Sequence, residues 1–136
     1  MKKKLTIISL FVVVAFGLLF ISTGGKRTDI MLTDYSVSEN GDSLTIKVAV
    51  ASSMGYVRTR KEKQEGDSKY ITFYQTYGLN STIGANNKFQ IKLNPSCRKI
   101  YFYRGDRGYD LMLQKNGETN EWQLAIDDIS STPRQK

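Results

Sequence analysis

Leu44-Thr45-Ile46-Lys47-Val48-Ala49-Val50-Ala51 sets the period that runs through most of this chain. Leu44, Ile46, Val48 and Val50 alternate with Thr45, Lys47, Ala49 and Ala51, which puts four aliphatic side chains on one face of a half-buried β-strand. Asn40-Gly41-Asp42 comes just before it, and this turn chemistry predicts a hairpin back to a strand around residues 30–38.

The period of two continues toward the C-terminus. Ser52-Ser53-Met54-Gly55 breaks the chain, residues 56–63 resume as an exposed, charged strand, and Glu65-Gly66-Asp67-Ser68 forms the next turn. Residues 70–77 alternate Ile71, Phe73 and Gln75 with Tyr70, Thr72 and Tyr74, a β-branched and aromatic content suited to a central strand. The polar stretch 78–87 is long enough to cross between sheets. Phe89, Ile91 and Leu93 mark a strand stopped by Asn94-Pro95, and residues 100–103 form another. Arg104-Gly105-Asp106-Arg107-Gly108 then leads to Tyr109, Leu111 and Leu113, and residues 116–120 close a last hairpin onto 121–125, with Trp122 and Leu124 on one face. No stretch between residues 29 and 125 holds a helical period for three turns. Seven or eight short strands at spacings of roughly 8–14 residues predict an all-β domain over residues 26–128, an antiparallel immunoglobulin- or fibronectin-like sandwich, with a small barrel as the alternative. From Ser130 on the chain has Pro133 and no apolar residue, so residues 129–136 read as a flexible tail.

The N-terminus is of a different kind. Lys2-Lys3-Lys4 is followed by no charged residue until Lys26-Arg27. Residues 1–25 therefore predict an apolar helix serving as a signal peptide or an N-terminal membrane anchor. The dense apolar core, residues 5–21, spans about 25 Å as a helix, a little short of a ~30 Å hydrocarbon layer. Ser22-Thr23-Gly24 offers small residues for cleavage, and no cysteine follows the run to carry a lipid anchor. The positive-inside rule places the lysines in the cytoplasm and the domain outside, so the expected location is extracytoplasmic, anchored by the N-terminus or secreted.

Residues 1–25 carry three lysines and no acid, so without them the net charge falls from +7 to +4. That is not the footprint of a nucleic-acid protein. It suits ordinary solubility and weak attraction to anionic wall polymers or lipid head groups. Cys97 is the only cysteine, so the domain has no internal disulfide and relies on packing. Between Pro95 and Ile100 it reads as a small buried hydrophobe, with a reactive thiol beside Arg98 and Lys99 as the alternative.

Four segments carry a resemblance: residues 55–58 (Gly-Tyr-Val-Arg), residues 70–81 (Tyr-Ile-Thr-Phe-Tyr-Gln-Thr-Tyr-Gly-Leu-Asn-Ser), Ile83-Gly84-Ala85, and residues 99–109 (Lys-Ile-Tyr-Phe-Tyr-Arg-Gly-Asp-Arg-Gly-Tyr). Together, over residues 40–124, they resemble a group of small exported, functionally uncharacterised β-sandwich-like proteins of Gram-positive bacteria. The resemblance implies export and a bacterial source, and it brings no catalytic residue with it.

The chain contains no histidine, which removes Ser-His-Asp and Cys-His catalysis and any His-bearing zinc site within one chain. No metal or other cofactor is expected. A carboxylate pair such as Asp106 with Asp110 would be enough for glycoside hydrolysis, although both residues read first as a turn and a solvated strand face. Arg104-Gly105-Asp106 matches an adhesive tripeptide but is also good hairpin chemistry, with Gly105 or Gly108 supplying φ > 0. Asn80-Ser81-Thr82 matches a glycosylation acceptor and reads here as a polar loop.

The aromatic pattern is more informative. If Ile71/Phe73 and Ile100/Phe102 face the core, alternation turns Tyr70, Tyr74, Tyr101 and Tyr103 outward, with Arg58 and Arg60 nearby. Such a face suits sugar rings, peptides or a partner strand, and it equally suits cross-strand aromatic pairs that only stabilise the sheet. The expected function is a non-enzymatic extracytoplasmic module at the bacterial cell surface. Its expected partners are a cell-wall polymer or an envelope protein, and the membrane through the N-terminal segment. A small envelope glycan hydrolase using a carboxylate pair is the alternative.

Overall fold

The computed structural model describes residues 1–22, 25–51, 55–76 and 84–125. The crossover read at residues 78–87 lies partly outside these residues, and the tail at 129–136 lies wholly outside them. Helix α1 (Lys2–Ser22) is followed by strands β1 (Lys26–Arg27), β2 (Ile30–Val37), β3 (Ser43–Val50), β4 (Val57–Glu65) and β5 (Ser68–Gln75). Then come β6 (Lys88–Lys92), β7 (Lys99–Tyr103), β8 (Tyr109–Lys115) and β9 (Trp122–Leu124).

The strands form two sheets. The smaller has the order β2-β3-β6; the larger has the order β1-β5-β7-β8-β9, with β4 paired to β5. The β2–β3 hairpin forms at Asn40-Gly41-Asp42 as the sequence reads, with Leu44 paired to Val37 and Val50 to Ile30. The expectation of a purely antiparallel fold fails at one place: β5 and β7 run parallel, Tyr70 beside Tyr101 and Ile71 beside Phe102. A parallel pair needs a crossover between its strands, and here β6 supplies it from the other sheet. β4 takes one edge of β5 along its whole length, while the other edge is shared by β7 at Ser68–Ile71 and by β1 at Phe73 and Tyr74.

The inward residues of both sheets form one core, in which Ile30, Leu44, Ile46, Ile71, Ile91, Ile100, Phe102 and Leu113 are fully buried. Phe73 joins the layers, its ring 5.7 Å from Phe89 and 4.8 Å from Phe102. Cys97 is buried, as its apolar reading requires.

Arg60 also spans the two sheets. Its guanidinium lies over the Phe89 ring, bonds to the Gln90 carbonyl and pairs with Glu62 at 3.0 Å. Lys69 pairs with the same Glu62 at 3.3 Å and donates to the Lys92 carbonyl. The carbonyls at the edge of β6 therefore receive side chains from β4 and β5 in place of another strand.

Helix α1 is apolar on every side, and Leu5, Phe11 and Phe16 are each about 70% exposed. A helix with no polar face needs apolar surroundings. Among the described residues, however, no helix is long and apolar enough to cross a membrane, so a transmembrane anchor finds no support there.

Candidate functional site

The outer face of the larger sheet is built by alternation along four strands. In β5 the buried Ile71 and Phe73 turn Tyr70, Thr72 and Tyr74 outward; in β7 the buried Ile100 and Phe102 do the same for Lys99, Tyr101 and Tyr103. Because β5 and β7 are parallel and in register, Tyr70 falls beside Tyr101. Their rings stack at 5.0 Å with 16° between planes. Tyr109 of β8 packs edge-on against both neighbours, 4.9 Å from Tyr70 and 5.5 Å from Tyr103.

Lysines frame this cluster. Lys26 Nζ lies 5.4 Å from the centre of the Tyr103 ring, and Lys61 Nζ lies 5.4 Å from that of Tyr74. Lys63, directly across from Tyr70, pairs with Glu65 at 2.6 Å. The hydrogen bond and charge of Glu65 hold the Lys63 ammonium above its ordinary pKa, with smaller contributions from Tyr109 and Tyr70.

The four tyrosines singled out in the sequence thus share one face, but the two arginines do not join them. A bulge at Arg58 breaks the β4 alternation: Val57 pairs with Gln75, and the next partner is Thr59 with Tyr74. Arg58 donates to the Gln75 carbonyl at 3.3 Å, and Arg60 is turned to the inner side described above. The outward cations of β4 are Lys61 and Lys63 instead. A second bulge explains why Tyr109 escapes a sequence reading. Pairing with β7 jumps from Ile100–Leu113 to Tyr101–Leu111, so Met112 is the extra residue. Leu113 stays in the core, while Leu111 and Tyr109 swing outward.

The remaining candidates resolve into structure. Arg104-Gly105-Asp106 begins a 3-10 turn, Gly105–Arg107, with positive φ at both Gly105 and Gly108. Arg104 itself is 11% exposed and bonded to Asp110, Thr28 and Ile30. It is not presented as an adhesive motif would present it. Asp110, half of the carboxylate pair a hydrolase would use, is held by that arginine. Among the described residues no group of three or more acids and cysteines could hold a metal ion. A cleft at the ends of β3 and β4, lined by Val48, Val50, Tyr56, Val57 and Asn86, offers one phenol and no carboxylate.

No protein-family model matches this chain, and no curated protein or solved structure matches it.

Proposed function

We propose that this chain is a non-enzymatic binding module of the bacterial cell surface, exported by its first 25 residues and engaging an envelope component through the outer face of the larger sheet. The observation that carries this reading is the cluster of Tyr70, Tyr101, Tyr103 and Tyr109, set in the middle of a sheet with lysines on both sides. Aromatic side chains buy sheet stability equally well inside a core. Four of them on an outward face, with cations around them and one acid, Glu65, among them, supply contact area and charge to a partner. The uncharged run of residues 5–21 after three lysines supports export.

The test is binding of the protein to isolated cell walls. Tyr74→Ala with Tyr103→Ala should weaken it at least tenfold. Each lost cross-strand aromatic contact costs about 0.2–1 kcal/mol, small beside a domain stability of roughly 5–15 kcal/mol, so the variant stays folded. Unchanged binding by a folded double variant would sink the reading.

A further inference from the structure

The tyrosines are packed in a way that narrows the ligand. A sugar-binding platform presents open ring faces to its ligand. Here Tyr70 and Tyr101 stack on each other, Tyr109 packs edge-on to Tyr70 and Tyr103, and Lys26 and Lys61 sit on the rings of Tyr103 and Tyr74. Each of these rings is thus engaged by at least one neighbour within the cluster. Among the described residues nothing bonds the hydroxyls of Tyr70, Tyr101, Tyr103 or Tyr109, whereas Tyr35, on the other sheet, donates to the Trp122 carbonyl at 3.0 Å. The face therefore offers O–H donors and ammonium groups, which together receive anionic oxygens.

Its charge points the same way. Lys26, Lys61, Lys63 and Lys99 share the face with a single carboxylate, Glu65, and among the described residues Lys26 and Lys61 have no acidic partner. The cations are all lysines. Point charges together with hydroxyl donors serve the tetrahedral oxygens of a phosphate, while both nearby arginines, whose fork suits carboxylate and phosphate alike, are turned to other tasks.

Resting on the binding-module reading, we propose that this face binds a phosphodiester polymer of the cell envelope, its phosphate oxygens received by Lys26, Lys61 and Lys63 and by the hydroxyls of Tyr101 and Tyr103. Glu65 opposes that binding by occupying Lys63. Its removal should strengthen the interaction, a direction that loss of folding cannot imitate.

The experiment uses the full chain in non-ionic detergent and four probes at matched length. They are a synthetic poly(glycerol phosphate) oligomer, polygalacturonate, a neutral β-glucan and oligothymidylate. The glycerol-phosphate oligomer should bind at least fivefold tighter than any other probe. Its log-log salt slope should be near −2, at roughly −0.7 for each of three lysine contacts. Lys26→Gln with Lys61→Gln should weaken binding tenfold or more, Glu65→Gln should tighten it two- to fivefold, and Tyr101→Phe with Tyr103→Phe should weaken it although every ring is kept. Equal or tighter binding of polygalacturonate, glucan or oligothymidylate overturns the phosphodiester assignment. So do phenylalanine and glutamine variants that bind like the parent. If isolated walls still bind through the tyrosines, the module reading survives that failure; if neither walls nor any probe binds, both fall.

Discussion

Arg104 closes on Asp110, its Nε donating to Oδ2 at 2.9 Å, while the same guanidinium reaches the Ile30 carbonyl at 2.7 Å and the Thr28 carbonyl at 3.2 Å. One side chain, 11% exposed, thus ties the end of β7 to β8 and to the segment entering β2. The close approach extends to the backbone: a Cβ on Gly105 would come within 3.1 Å of Thr28 Cγ2. Truncating the arginine leaves the partly buried Ile30 carbonyl and the half-exposed Asp110 carboxylate without this donor. Arg104→Ala should lower the unfolding free energy by about 2–4 kcal/mol in urea titrations. Arg104→Lys should recover only part of this, since an ammonium cannot reproduce the fork. A change of less than ~0.5 kcal/mol for the alanine variant would show that the network is dispensable.

Of two ion pairs made by β4, the shorter is worth less. Lys63–Glu65 is the shortest at 2.6 Å, yet its side chains are 72% and 56% exposed. Lys69–Glu62 is longer at 3.3 Å, but Lys69 is 10% exposed and Glu62 also serves Arg60. Solvent screens the first pair and much less the second. Glu62→Gln should cost about 1–3 kcal/mol and Glu65→Gln less than about 0.5 kcal/mol, compared by denaturant midpoints. Equal losses would mean that the bridge between the sheets is solvated after all.

β3, β5, β6 and β7 were legible because each carries a clear period of two. The Leu44–Val50 alternation and the Asn40-Gly41-Asp42 turn place the first hairpin, and Ile71/Phe73 with Ile100/Phe102 identify the core side of the two central strands. The candidate face was half legible for the same reason. Where a bulge adds one residue, every later side chain changes face, and no local residue type announces it. Arg58 hides one such shift, which exchanged Arg60 for Lys61 and Lys63 on the outer face. Met112 hides another, which brought out Tyr109. β1 was missed because two residues, Lys26 and Arg27, have no period at all. Its place beside Phe73 and Tyr74 depends on β5 offering a free edge beyond β7. The parallel β5–β7 pairing was equally out of reach, because alternation identifies faces but not strand direction.

Phe73 touches both layers, and its ring is 1% exposed between Phe89 and Phe102. Phe73→Ala should cost about 3–5 kcal/mol, from lost transfer energy and from a cavity that two sheets cannot jointly close. Phe73→Leu should cost clearly less. The check is the ratio of the two losses with the denaturant slope unchanged. A reduced slope would instead mean that the variant's sheets already separate before unfolding.

Cys97 gives this histidine-free domain a marked pH signature. Burial pushes its thiol up, opposed by the Lys69 charge, by a backbone hydrogen bond at Lys99 and by the Lys115 charge. In the unfolded chain the thiol loses its proton near pH 8.5 or about there. Above that pH the unfolded state binds fewer protons than the folded one, so stability falls as pH rises, whereas below it the contribution is fully present. Cys97→Ala removes the titrating group while leaving the tyrosines and lysines, which also respond to alkali, in place. The stability advantage of the parent over Cys97→Ala should therefore be constant from pH 6 to about 8 and then shrink, by up to ~1.4 kcal/mol per pH unit until the folded thiol itself ionises. Urea titrations of both proteins between pH 6 and 10 measure this directly, and native Cys97 should resist thiol reagents across the same range until unfolding exposes it. A constant gap up to pH 10, or rapid labelling of the native protein, would mean that solvent reaches the thiol and that burial does not control it.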